Sequence, residues 1–337
     1  MTRRGRESRV ESQEREKGGE LRVESREPET GEELGIGSPE PSGAAAGSFL
    51  ALESRRSDLD FPSERDSKVR CHNLEIHVSH GCNLTCEQCS HFSNYGFRGH
   101  LSPADARAWL GAWAVRLEPK WVSLLGGEPT LNPALCEIVA IARETFPRAL
   151  VQLVTNGWFL HRYRELPDVL ERHNVRLELS VHHGSEQYLA RVAEILMLLL
   201  EWRERKRFSL HVRRSYSRWR RLYRSAGADL RPVADGDAEA AWEACGSRDC
   251  LQIHEGKLWK CPPVAYLRLT AEKYSIDRTA WGSWLDYRPL EPGCTDDELR
   301  EFLARGAERV CELCPANPEA MELRSPLSRA GKGGEER

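Results

Sequence analysis

The sequence predicts an α/β fold: a parallel sheet with helices between its strands, followed by a small C-terminal domain built on a hairpin. Three observations carry this. From about Lys68, short apolar-alternating runs trade places five times with helical patterns of 10 to 20 residues. Repeated βα units require a parallel sheet with right-handed crossovers. The stretch Cys250–Cys261 then alternates on both sides of Glu255-Gly256, which reads as a tight hairpin. Finally, the cysteines are segregated, with three between 82 and 89 and six after residue 240.

The chain has 337 residues, of which 40% are hydrophobic, enough for one large and one small domain. Residues 1–48 hold Glu, Arg, Gly, Ser and Pro in abundance and no residue of aromatic type before Phe49. Such a stretch cannot bury enough apolar surface to offset its ordering entropy. The expected organisation is a disordered extension over 1–66, a core domain over 67–240, a smaller domain over 241–320 and a disordered tail over 321–337. The net charge of −3 offers no electrostatic case for nucleic acid or an anionic membrane. No apolar run is long enough to span a bilayer, and no apolar stretch follows Met-Thr-Arg-Arg-Gly-Arg as a secretory signal would require. Eleven cysteines without an export signal point to metal ligation rather than disulfides, and hence to a reducing, cytoplasmic compartment.

In order, Leu74–Val78 is the first strand, with Leu74, Ile76 and Val78 on one face. A helix starts after Ser102, with Ser as N-cap, Pro103 at the first helical position and Asp105 in the first turn. Its apolar stripe is Ala106, Trp109, Leu110, Trp113 and Leu117. Next come strand Trp121–Leu125, a helix through Leu135, Ile138, Val139 and Ala142, and strand Leu150–Thr155. A helix at Leu166–Arg172, strand Val175–Val181, the long helix Gln187–Arg205 and strand Phe208–Val212 follow. A short strand near Asp229–Val233 would be the sixth.

Chemistry in parallel barrels gathers at the C-terminal strand ends. There lies His80-Gly81-Cys82-Asn83-Leu84-Thr85-Cys86-Glu87-Gln88-Cys89, a C-x3-C-x2-C loop. Three soft thiolates can hold three irons of a 4Fe–4S cube and leave the fourth without a protein ligand. With the Gly126-Gly127-Glu128-Pro129 run downstream, this loop resembles the radical S-adenosylmethionine (radical SAM) superfamily. The resemblance covers about residues 70–235 and implies a partial (β/α)6 barrel. It also implies a 4Fe–4S cluster on Cys82, Cys86 and Cys89 whose open iron chelates S-adenosylmethionine. One electron then cleaves the sulfonium, and a 5′-deoxyadenosyl radical takes a hydrogen atom from a peptide or small-molecule substrate. An electron donor such as a flavodoxin or ferredoxin is implied as partner.

The same resemblance carries binding of the methionyl amino group to Gly126, Gly127 and Glu128. It carries a ribose contact to Asn156 and a ribose or carboxylate contact to Ser180, at the ends of the next two strands. For Asn156 an ordinary Asn-Gly turn is the competing reading. For His182 the preferred reading is a satisfied polar residue at a strand end. No side chain is assigned a catalytic role. Gln88 departs from the aromatic or bulky apolar residue that the family usually places before the third cysteine.

After residue 240, Cys245, Gly256 and Cys261 form a C-x10-G-x4-C arrangement, and Cys311 and Cys314 add a C-x2-C pair. This resembles the SPASM/twitch extensions of radical SAM enzymes, in the shorter, one-cluster form. A second, auxiliary 4Fe–4S cluster is implied, with Cys245, Cys250, Cys261, Cys311 and Cys314 as candidate ligands and Cys294 as a further possibility. Cys71 and Cys136 read as ordinary thiols. A zinc ribbon made from the same residues is the competing reading, and a non-catalytic zinc-binding interaction protein the alternative function. Trp158, Trp219, Trp281 and Trp284 are core residues by default or cavity walls otherwise. The arginines at 213, 214, 218, 220, 221 and 224 suit either a phosphate or carboxylate or a solvated face.

Overall fold

In the computed structural model, residues 68–324 and Leu327 are described; the expected extension over 1–66 and nearly all of 325–337 lie outside the described residues. Strands β1 (Val69–Ser79), β2 (Leu117–Gly126), β3 (Leu150–Thr155), β4 (Arg176–Val181) and β5 (Leu210–Arg214) pair in sequence, all parallel. Helices α1 (Pro103–Ala114), α2 (Leu135–Thr145), α3 (Leu166–Arg172) and α4 (Glu186–Arg205) are the crossovers. The Ser102 hydroxyl accepts from Asp105 N–H and caps α1 as the sequence predicts. Leu117, expected on the α1 stripe, instead opens β2 opposite Val69. The missing N–H of Pro119 costs nothing there, because β3 pairs with β2 only from Trp121 onward.

The expected sixth strand is corrected by the structure. Strands β6 (Tyr223–Arg224) and β7 (Arg231–Pro232) pair only with each other, antiparallel and outside the main sheet. The free edge of β1 is taken instead by the hairpin β8 (Cys250–His254) and β9 (Lys257–Trp259). Strand β8 runs parallel to β1, and β9 runs antiparallel to β8. The sheet order is therefore β5-β4-β3-β2-β1-β8-β9, a mostly parallel α/β sheet. The hairpin turns at Glu255 (φ 54) and Gly256 (φ 74), the paired left-handed residues of a two-residue I′ turn. Trp113 Nε1 donates to Gly256 O at 2.9 Å, so α1 braces the turn. Helices α5 (Ala238–Glu243), α6 (Pro262–Tyr274), α7 (Gly282–Leu285) and α8 (Asp296–Ala304) complete the described residues.

Both faces of β1 are buried. Leu74, Ile76 and Val78 join the apolar cluster beneath the helices. On the opposite face, Glu75, His77 and Ser79 are buried as well and need partners. Gln252 Nε2 donates to Glu75 at 2.6 Å, Ser123 Oγ to Asn73 Oδ1 at 2.8 Å, and Gln152 Nε2 to Ser123 Oγ at 2.9 Å. A polar ladder thus crosses β8, β1, β2 and β3. Tyr266 of α6 covers it, its ring stacked on His77 at 3.5 Å. A second apolar cluster holds Phe92, Tyr223, Trp259, Trp281 and Trp284. Met321–Arg324, placed at the head of the expected tail, carry contacts here: Met321 N–H donates to Trp219 O at 3.1 Å, and Leu323 is buried.

Candidate functional site

The loop after β1 is held by close backbone contact with the turn after β2. Gly127 N–H donates to Ser79 O and Glu128 N–H to Gly81 O, both at 2.8 Å. A Cβ on Gly127 would stand 1.9 Å from Gly81 O, and Gly126 sits at φ 128. The glycine pair is therefore required first by the chain's own cysteine loop. Both glycines still reach the cavity described below.

Glu128 turns the other way. Its side chain is fully buried and is absent from the cavity wall. Oε1 accepts from Thr130 N at 3.0 Å and from the Thr130 and Thr155 hydroxyls at 2.5 Å each, while Oε2 accepts from Asn156 N at 2.8 Å. The carboxylate pins the turn after β2 to the end of β3. Both oxygens are thus engaged by the chain's own donors, and binding of a ligand's ammonium by Glu128 is a proposal for substitution to test.

One cavity of about 470 Å³ opens at these strand ends, within the usual range for ligand pockets. Cys82, Cys86 and Cys89 line one part of its wall, and Cys245, Cys261 and Cys314 another. Asn156 and Ser180 face the same space. Asn156 Nδ2 donates to Asn83 Oδ1 at 2.8 Å, bracing the cysteine loop, and its Oδ1 accepts from Trp158 N in an Asx turn. The Ser180 and Ser215 hydroxyls share a 2.6 Å hydrogen bond. His182 also lines the cavity, and its Nδ1 has no partner among the described residues, contrary to the expectation of a satisfied strand-end residue. Burial, with Arg213 adding to it, pushes its pKa down to about 4, so the ring is neutral.

The thiols suit a soft, cationic occupant. Burial raises both Cys82 and Cys86. Burial opposes ionisation of Cys89 too, yet the hydrogen bond and charge of His91 bring it below the ordinary thiol value. His91 itself, though buried, is raised to about 9 by Cys89 and by Glu75, whose carboxylate lies 3.6 Å from its Nε2. The only sequence signal for His91 is its place two residues past Cys89. Leu84 N–H points at Cys82 Sγ at 3.4 Å, a donor that favours thiolate.

In the second group, Cys245 follows α5, Cys261 precedes α6, and Cys311 and Cys314 lie on and beside the 3₁₀ turn Arg309–Leu313. Cys314 lies within electrostatic reach of Cys261, Cys245 and Cys311, although burial is the main cause raising it. Cys250 lies on β8, with Asn73 Nδ2 3.9 Å from its Sγ and Glu75 beside it. Cys294 sits elsewhere, taking a 3.0 Å contact from Arg116. Cys245, Cys261, Cys311 and Cys314 thus lie within electrostatic reach of one another, and Cys250 within reach of Cys245. Burial raises Cys71 and Cys136 to about 12, as for ordinary interior thiols.

Among the described residues, no three His, Cys, Asp or Glu side chains converge closely enough to hold a single metal ion. Zinc needs its thiolates at about 2.3 Å from one centre. A cube takes each thiolate on a separate iron and tolerates wider spacing. Of the four tryptophans, Trp281 and Trp284 are core, Trp158 packs on Tyr188, and Trp219 lines the cavity.

Residues 76–205 match the model of the Radical SAM superfamily. A probable GTP 3′,8-cyclase of Sulfolobus acidocaldarius is 32% identical over 111 residues, 33% of this chain and 34% of that one. GTP 3′,8-cyclase of Mycobacterium marinum is 33% identical over 111 residues, 32% and 31% of the two chains. The chain thus spans about a third of the length of these relatives. Among solved structures, BtrN in complex with AdoMet and 2-DOIA aligns with a TM-score of 0.41 and 16% identity, over 73% of this chain and 94% of that one. Native anSMEcpe with bound AdoMet aligns with a TM-score of 0.34 and 17% identity, over 42% of each chain.

Proposed function

We propose that this chain, which belongs to the radical SAM superfamily through its residues 76–205, reductively cleaves S-adenosylmethionine and modifies a peptide or small-molecule substrate oxidatively. The family's cofactors are a 4Fe–4S cluster and S-adenosylmethionine. The observation that carries the proposal is the shared cavity, whose wall holds Cys82, Cys86 and Cys89 together with Cys245, Cys261 and Cys314. When bound, the first cluster with S-adenosylmethionine supplies hydrogen abstraction by a 5′-deoxyadenosyl radical, and a second cluster supplies an acceptor for the substrate's remaining electron.

Cys82, Cys86 and Cys89 would hold the first cluster. Gly126 and Gly127 would present backbone to the methionyl end, while Asn156 and Ser180 would face the rest of the cofactor. Cys245, Cys261, Cys311 and Cys314 would hold the second cluster. With four thiolates it has no open iron, which suits electron relay in a dehydrogenation or cross-link. Substrate placed between the two groups would be screened from water by Leu84, Leu222 and Trp219. The relatives named for GTP cyclisation place a nucleotide among the small molecules to be tested. A reducing compartment such as the cytoplasm fits exposed clusters. No helix among the described residues is long and apolar enough to cross a membrane.

Anaerobic reconstitution followed by iron, sulfide and zinc analysis and an assay for 5′-deoxyadenosine under reduction tests the proposal. About eight irons per chain and S-adenosylmethionine cleavage support it. About two zincs, no sulfide and no cleavage would replace it with the structural zinc reading.

A further inference from the structure

The arginines beyond β5 are sorted by the structure into those already neutralised and those left open. Arg213 lines the cavity, but its Nε lies 3.0 Å from the buried Glu178 carboxylate. Arg221 pairs with Glu319 at 3.1 Å. Arg214 and Arg224 are absent from the cavity wall. Arg218 and Arg220 do line it, on either side of Trp219, and neither has a carboxylate within ion-pair distance among the described residues. Arg220 donates only to the backbone, to Trp219 O at 3.0 Å. Glu322 lies on the neighbouring cavity, which Arg220 also borders, and pairs with neither.

No Asp or Glu among the described residues lines the main cavity, whereas three arginines do. Its other polar groups on this side are hydrogen-bonding rather than charged: the Ser180 and Ser215 hydroxyls and the unpartnered Nδ1 of the neutral His182. Open guanidiniums with no carboxylate beside them attract oxyanions. The guanidinium fork matches two oxygens of one phosphate or carboxylate. Trp219, between the two arginines, donates its Nε1 to His182 O at 3.2 Å, which places this segment beside the end of β4.

We propose that the substrate carries an oxyanion that docks on Arg218 and Arg220, with Ser180, Ser215 and His182 as hydrogen-bond partners beside it. The word substrate rests on the radical SAM reading above; the oxyanion subsite rests on the cavity wall alone.

The test uses the reconstituted full chain and titrates inorganic pyrophosphate and, separately, succinate by calorimetry, at two salt concentrations. Saturable, salt-sensitive binding of one or both is expected, and the tighter probe tells phosphate from carboxylate. Arg218→Ala/Arg220→Ala should weaken it at least tenfold, and Arg218→Lys/Arg220→Lys should recover part of the loss. Circular dichroism confirms that the variants fold. No binding by the wild type, or equal binding by the alanine variant, overturns the subsite. S-Adenosylmethionine affinity is read alongside. A parallel tenfold fall would mean that these arginines hold the methionyl carboxylate, and would overturn it as well. Intact oxyanion binding in a protein that holds no iron and cleaves no S-adenosylmethionine would keep the subsite and sink the radical SAM reading instead.

Discussion

Replacing Glu128 with alanine separates a ligand-binding carboxylate from a structural one. In the structure its oxygens accept four hydrogen bonds, two from backbone N–H groups of Thr130 and Asn156 and two from the Thr130 and Thr155 hydroxyls. The hydroxyls can rotate to other acceptors, but the backbone donors cannot. Each buried donor left unpaired costs about 1–3 kcal/mol. Two of them, partly relieved by water entering the vacated space, give an expected loss of about 3 kcal/mol, a large share of the usual 5–15 kcal/mol total. Glutamine keeps the Oε1 acceptor but can turn an amide donor toward Asn156 N–H, so its cost is about half as large, roughly 1–2 kcal/mol. Anaerobic urea unfolding of wild type, Glu128→Ala and Glu128→Gln measures this. S-Adenosylmethionine affinity should fall in step with stability, because the carboxylate fixes the Gly126–Gly127 turn. An Ala variant that binds the cofactor poorly but unfolds within about 1 kcal/mol of wild type would refute the argument and restore direct contact with the ligand.

Cys86→Ala should abolish 5′-deoxyadenosine formation, since one iron of the cube loses its protein ligand; cleavage at the wild-type rate would sink the assignment. Cys311→Ala/Cys314→Ala should lose about half the iron while circular dichroism still shows a folded chain; an unchanged iron count would remove the second cluster. Gly127→Ala should lose the first cluster's iron or fail to fold, because its Cβ would meet Gly81 O at 1.9 Å; normal iron content would show that the loop does not depend on this contact. Burial, with His80 and Arg268 adding to it, lowers His254 to about 3 in the fold. The unfolded chain therefore binds the extra proton between the ordinary histidine value of about 6.5 and that point, and stability falls as pH drops through this window. His254→Gln should flatten the slope of the urea midpoint between pH 6.5 and pH 4; an unchanged slope would mean that the ring is already charged in the fold.

The repeating half of the fold was legible because its signals are local. Leu150–Thr155 and Leu166–Arg172 are bounded in the structure as their patterns predict. The Ser102-Pro103-Asp105 start works because a cap needs only its own three neighbours. Leu117 went to the wrong element because it continues the helical spacing of Trp113, and only its pairing with Val69 makes it strand. The edge order failed for the same reason. Whether Arg231–Pro232 or Cys250–His254 adjoins β1 depends on contacts more than 150 residues apart along the chain. The alternation of β1 was read correctly, but its polar face is dry. Glu75 and His77 are buried against Gln252, His91 and Tyr266, and nothing local announces those partners.

Gln88 illustrates how the site itself escapes a linear reading. From sequence it is only a departure, a polar residue where the family usually has an apolar one. In the structure its Oε1 accepts from Leu222 N at 2.8 Å and Tyr223 N at 3.1 Å, and its Nε2 donates to Tyr223 O at 3.2 Å. The side chain thus behaves as a peptide unit added to the edge of β6. Tyr223 returns the contact, its hydroxyl donating to Glu87 O at 2.8 Å. An apolar side chain at this position would leave the Leu222 and Tyr223 backbone groups unpaired in a buried place, a cost of about 1–3 kcal/mol each. The cysteine loop is consequently bolted to the segment that carries Phe92's packing partner Tyr223 and leads on toward Cys245. That bolt holds the cysteine loop against Leu222, which lines the same cavity as both cysteine groups.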